Sequence, residues 1–182
     1  VILDLRKVLK LTRLHSLTAE GRLTRSRDEH RAILDAISEH LAEEGSDFGL
    51  PISVLPDLHG TRSPLSDPLL TGTIAGLDLD QSLTSLHKLY WRSCVALACS
   101  ISHIIERQPR RAGLPKRLLL AGGLADHPLL SQLYADATGC DVLVPKDCDA
   151  VLLGCALHAA VAAGAFASVK EAGRAMQFAM NH

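Results

Sequence analysis

Apolar residues recur at helical spacing in two long stretches of the chain. Ile33, Leu34, Ile37 and Leu41 fall on one face of residues 30–44, and Gly45-Ser46 follows, which predicts an amphipathic helix with a stop. Leu86, Leu89, Tyr90, Leu97, Ile101, Ile104 and Ile105 share a face over residues 82–108. That is one long helix, with Ser82 or Thr84 as its cap. Between the two, Ile52-Ser53-Val54-Leu55 reads as a short strand, and residues 57–68, DLHGTRSPLSDP, form a loop dense in turn formers. Residues 71–79 continue as TGTIAGLDL, interrupted at Gly72 and Gly76.

Further on, the apolar run Leu118-Leu119-Leu120-Ala121 stops at Gly122-Gly123. A helical pattern opens at Pro128 and ends at Gly139, and Asp141-Val142-Leu143-Val144 is a β-rich run stopped by Pro145. The order is strand, glycine turn, helix, strand. Asp147 or Asp149 can cap the next helix, residues 150–163, which is crowded with small residues such as Gly154, Ala156 and Ala160. Ser168-Val169-Lys170-Glu171 is a capping box, and the helix behind it is expected to run to Met180. Helices alternating with short strands indicate an α/β or α+β domain.

Composition narrows the function. The chain has 182 residues, 47% hydrophobic and 21% charged, with a net charge of -1. That places it among globular domains with a core of useful size. The near-zero charge gives no field for nucleic acid, and one Trp, two Tyr and three Phe offer few stacking platforms. No apolar run approaches the ~18 to 20 residues of a membrane span, and residues 1–11 mix charges with apolar residues rather than forming a signal sequence. The five cysteines form no C-x-x-C pair. They are expected to be buried free thiols in a reducing cytoplasm.

The candidate chemistry sits at Gly122-Gly123. Without Cβ atoms, such a turn lets the backbone lie against a flat ligand. The helix behind it aims free N–H groups and a partial positive charge at the same place. The arrangement suits a nucleotide, although it is neither G-x-G-x-x-G nor a P-loop, and a turn that simply needs a positive φ would look the same. Other polar residues have structural readings. Asp57 and His59 fit a loop cap and a solvent-facing ring better than a metal pair. Arg62 could pair with Asp67. Asp147 and Asp149 fit caps better than metal ligands. His87, His103 and His158 lie on helices without a ligand partner, and Arg110, Arg111 and Lys116 fit a solvated connector. Ser63 lies outside any G-x-S-x-G elbow.

Three blocks together resemble the C-terminal domain of the FGGY carbohydrate kinases, in particular the ribulokinase-like, pentulose branch. They are the loop DLHGTRSPLSDP at 57–68, the GTIAGL stretch at 72–77 with the long helix after it, and AGGL at 121–124 through ADATG at 135–139 and on to residues 151–160. The resemblance covers residues 30–176. It implies an α/β, actin-like (ribonuclease-H-like) ATPase domain with a mixed sheet flanked by helices, spanning 30–182 after a divergent segment 1–29. It also implies that Gly122, Gly123, Leu124 and His127 bind ATP, with Mg2+ carried by the nucleotide. His127 stands where the family often has Asn. It would touch the nucleotide with a different geometry, or it would be a solvent-facing neighbour of a helix cap.

The family's D-x-G-T phosphate turn, its catalytic carboxylate and its sugar contacts belong upstream of these blocks. Thr71-Gly72-Thr73 resembles the second phosphate loop only superficially. The chain is therefore expected to be a C-terminal fragment or a truncated homologue that meets its sugar through a missing N-terminal domain and carries no catalytic residue of its own. A non-catalytic or degenerate actin-like nucleotide-binding or interaction module is the alternative. The expected setting is cytoplasmic, with no nucleic-acid or membrane partner. The pattern sets no oligomeric state.

Overall fold

The computed structural model describes residues 21–61, 63–108, 113–122, 125, 127–145, 149–176 and 180–181. Helix α1 spans Arg22–Glu44, so the predicted helix at 30–44 is the C-terminal part of a longer one. Gly45 ends α1 with φ 66°, its N–H bonded to the carbonyl of Leu41, and a 3-10 turn covers Gly45–Asp47. Strand β1 (Ser53–Leu55) pairs antiparallel with β2 (Thr73–Ala75), and the Pro-rich loop 56–72 closes between them. Helix α2 (Leu83–Arg107) starts at Ser82, whose hydroxyl accepts the N–H of Ser85. Strand β3 (Arg117–Leu119) lies parallel to β4 (Asp141–Pro145), with helix α3 (Pro128–Thr138) between them in the chain.

Pro128 opens α3 at a position whose N–H would have no helical partner, and Gly139 ends it at φ 66°. Helix α4 (Ala150–Ala162) is capped by Asp149, whose carboxylate accepts the N–H groups of Val151 and Leu152; Asp147, the other predicted cap, lies outside the described residues. Helix α5 (Val169–Ala175) starts at Ser168, which accepts the N–H of Glu171, while the Glu171 carboxylate accepts the N–H of Ala167. The capping box therefore reaches one residue further back than the usual pair.

Two expectations change. Helix α5 stops at Ala175 rather than Met180, and Met180–Asn181 form strand β5, antiparallel to β4. The free edge of β4 gives those backbone groups partners across the sheet. Thr73–Ala75, unassigned from the sequence, form a strand because they pair with β1.

The core is built by α1, α2 and the turn after α1. Ile37, Phe48 and Trp91 are buried together, with Ile33, Leu41, Val95, Leu129 and Leu133 packed around them. The predicted apolar face of α1 faces inward, with Leu34 and Ile37 fully buried. His40 stacks on Phe48 at 4.9 Å between centroids. Arg92 ties α2 to the segment before β1 through a 3.0 Å bond from its Nε to the carbonyl of Ile52. Helix α3 packs on the outer stretch of α2, which fixes the far end of the β3 turn relative to the core.

Candidate functional site

The parallel pair β3–β4 delivers the chain to the glycine turn. Leu120 donates its N–H to the carbonyl of Leu143, so the sheet holds the chain one residue beyond the strand. The turn then opens at Gly122 with φ 134°, a conformation L side chains rarely adopt, and among the described residues beyond its chain neighbours no heavy atom lies within 4 Å of where its Cβ would be. Ala125 donates its N–H to the Gly122 carbonyl at 3.1 Å and accepts a 3.2 Å bond from the hydroxyl of Ser131 at its own carbonyl. The turn is thus tied to the first turn of α3. Gly123 and Leu124 lie outside the described residues.

His127 is the N-cap of α3 and is only 6% exposed. The solvent-facing reading is therefore corrected. Its Nδ1 accepts the N–H of Leu129 at 3.3 Å, so the proton of the neutral ring sits on Nε2, which faces the Asp35 carboxylate of α1 at 3.3 Å. Both ring nitrogens are engaged within the chain. His127 joins the glycine turn, the start of α3 and the middle of α1.

A cleft of about 740 Å3 lies beside the turn. Its walls include Leu86, Tyr90 and Cys94 of α2, Leu120 to Gly122, Leu130 and Tyr134 of α3, and His30 of α1. The walls are mainly apolar, with polar groups from His30, Tyr90, Ser93, Cys94 and Tyr134 among them. His30 Nδ1 and the Tyr90 hydroxyl share a 3.1 Å hydrogen bond, and the Ser93 hydroxyl donates to the carbonyl of Leu89 at 2.8 Å. No Lys, Arg, Asp or Glu is among the described residues that line it. Burial pushes the Cys94 thiol up to about 11. Burial, and then the neighbouring Cys94, raise Tyr90 and Tyr134 above the usual phenol range. At neutral pH the cleft therefore carries a protonated thiol and two protonated phenols. Among the described residues its walls offer no thiolate nucleophile and no Lys or Arg for a phosphate.

The other predicted residues stay apart from this place. His59, His103 and His158 are exposed on a loop and on two helices. The Asp67 carboxylate accepts the N–H of Leu69 at 2.8 Å, as an Asx turn. Its expected partner Arg62 lies outside the described residues, as do Arg110 and Arg111. Among the described residues no cluster of three metal-ligating side chains occurs, and no helix is long and apolar enough to cross a membrane. Cys140 is buried, but Cys99 and Cys155 are exposed, which corrects the expectation of uniformly buried thiols. Cys99 falls off the apolar face of α2, and Cys155 lies on a helix with no buried residue, where small apolar neighbours mark no inner side.

The profile of the FGGY family of carbohydrate kinases, C-terminal domain, matches residues 11–163. This chain belongs to that family. An FGGY carbohydrate kinase domain-containing protein of Homo sapiens is 42% identical over 121 residues, 66% of this chain and 22% of the relative. A ribulokinase of Mycolicibacterium smegmatis is 35% identical over 147 residues, 77% of this chain and 25% of the relative. The FGGY chain thus spans about a quarter of the length of these curated relatives. Among solved structures, a xylulose kinase from Lactobacillus acidophilus superposes with TM-score 0.57 at 18% identity, over 81% of this chain and 28% of that one. A xylulose kinase from Bifidobacterium adolescentis does so with TM-score 0.52 at 25% identity, over 89% and 31%. The fold is therefore that of the FGGY kinases, the actin-like ATPase fold.

Proposed function

We propose that this chain is the nucleotide-binding, C-terminal part of an ATP-dependent pentulose-type kinase. The whole protein would transfer the γ-phosphoryl group of Mg-ATP to a sugar hydroxyl in the cytoplasm. Gly122 carries the reading. It stands at the exit of a parallel strand, inside the family-matched region, with a φ that favours glycine and, among the described residues, nothing within 4 Å of where a side chain would project. These features fit the close approach of a nucleoside. No Lys or Arg is among the described residues of the cleft walls; on this reading the phosphates and their Mg2+ would be held by groups outside them, and the sugar and the catalytic base by the N-terminal part of the protein. Gly122, Gly123 and Leu124 would pass beneath the nucleoside. His127, with both nitrogens engaged, would hold that turn in place as a positioning residue beside the ligand.

The test compares two glycines of α3's flanks in the full-length kinase. Gly122→Ala should weaken binding of a non-hydrolysable ATP analogue roughly tenfold, about 1.4 kcal/mol. Gly139→Ala also forces a side chain into positive φ. It should lower the melting temperature while leaving that affinity unchanged. Equal affinity in both variants would remove the nucleotide-site assignment. The 182-residue chain by itself should show no sugar-dependent ADP release, because phosphoryl transfer rests on positioning and electrostatic groups that this reading places upstream.

A further inference from the structure

The cap at the start of α3 is an imidazole, and an imidazole makes a demand that Asp or Ser does not. A carboxylate or hydroxyl oxygen can accept a helix N–H in any state. A neutral imidazole has one bare nitrogen and one N–H, and it caps only when the bare nitrogen faces the helix. His127 meets that demand. Its Nδ1 accepts the Leu129 N–H and its Nε2 faces an oxygen of Asp35, both at 3.3 Å. The His127 residue is 6% exposed, whereas the Asp35 side chain is 67% exposed. The carboxylate therefore keeps most of its hydration while one oxygen reaches the buried ring, and the pairing costs little in desolvation.

We propose that Asp35 is a positioning residue for the glycine turn. Its carboxylate selects the tautomer and orientation in which His127 can cap α3, because the partner of one ring nitrogen decides which nitrogen carries the proton. Hydrogen bonds carry the link onward. The His127 carbonyl accepts the N–H groups of Leu130 and Ser131 at 3.1 and 3.2 Å. The Ser131 hydroxyl donates to the Ala125 carbonyl, and the Ala125 N–H is bonded to the carbonyl of Gly122. A side chain in the middle of α1 thus reaches the turn through bonded groups without touching it. The effect on nucleotide binding rests on the proposed site at Gly122; the link from Asp35 to the turn rests on the hydrogen bonds alone.

Asp35→Ala tests it, first in the 182-residue chain. Nitrogen NMR of the His127 ring should change from one form, with the proton on Nε2, to a mixture of the two neutral forms. The Leu129 amide should exchange about fivefold faster, as a local opening. Global stability should hold or rise, because Ala is a better helix former than Asp. A residue that only supported α1 would move global stability and leave the ring and Leu129 signals alone. In the His127→Asn background the cap has a carbonyl oxygen and needs no tautomer, so Asp35→Ala should leave Leu129 exchange unchanged there. In the full-length kinase Asp35→Ala should weaken binding of a non-hydrolysable ATP analogue about threefold, and not at all in the His127→Asn background, as expected for two coupled residues. Unchanged ring and Leu129 signals would overturn the inference, as would equal losses in both backgrounds. If Gly122→Ala weakens the analogue and Asp35→Ala does not, the nucleotide site stands and the inference is overturned. If neither variant changes affinity, the nucleotide site fails, and the ring and exchange signals decide the link to the turn.

Discussion

The α1–α2–α3 part of the chain and the α4–α5 part are both rich in apolar residues, and different forces hold them. In the first, Leu34, Ile37 and Phe48 are fully buried and Trp91 nearly so, and neighbouring side chains close over them. In the second, α4 has no buried residue; Val151 and Leu152 are 76% and 68% exposed, and its main packing partner is α5. Helix α4 exists because alanines favour helix and Asp149 caps its first turn. Helix α2 exists because one face is periodic and finds a core. A helix that is apolar all round carries no record of which side faces what. A periodic one does.

Substitutions on the two sides should therefore differ sharply. Phe48→Ala removes a fully buried ring under His40 and beside Ile37 and Trp91. It should cost about 3–5 kcal/mol in urea unfolding. A cost below ~1 kcal/mol would erase the contrast by showing that this core is loose. A second effect belongs to α2 alone. The folded chain holds the Cys94 proton up to about 11, whereas the ordinary thiol value is 9.0. The folded pKa is raised, so the stabilisation is complete below pH ~9 and is lost as pH climbs from ~9 to ~11. The loss should be about 2 kcal/mol, and Cys94→Ala should flatten that part of the stability–pH curve.

Smaller effects fall on α4. Asp149→Ala removes a cap that accepts two N–H groups, and amide exchange in α4 should speed up by an amount worth about 1 kcal/mol. Leu152→Ala should change stability by less than about 0.5 kcal/mol. A large loss there would mean that α4 buries Leu152 against a partner in solution, and the contrast between the two regions would then be one of assembly rather than of packing.

What the sequence disclosed follows the same division. Helices α2, α3 and α4 were legible to within a residue or two because Ser82, Gly139 and Asp149 mark their ends by local chemistry. Strands β3 and β4 were legible as short apolar runs that flank a helix, while their parallel pairing comes from the structure. Strands β2 and β5 were not legible. Three residues between glycines, or two near the chain's end, carry no period, and only their partners β1 and β4 make them strands. At the site, Gly122 was visible as a glycine after a strand. The burial of His127 was not, because its partner Asp35 lies 92 positions away and no local pattern records so distant a contact. The apolar cleft was hidden for the same reason: its walls come from three helices and a strand end.

The parallel pair has a consequence for how the chain is made. Arg117 to Leu119 find Asp141 to Leu143 across a single intervening helix, and the glycine turn, its cap and both strands lie within that one continuous stretch. The entropy of closing so short a loop is modest. A ribosome releasing the chain from its N-terminus would therefore expose this whole unit, with α2 already available to receive α3, before α4 emerges. Strand β5 arrives last and adds itself to a finished edge. On that schedule the turn is shaped during translation, and a stalled or clipped product lacking α4 onward would still present it.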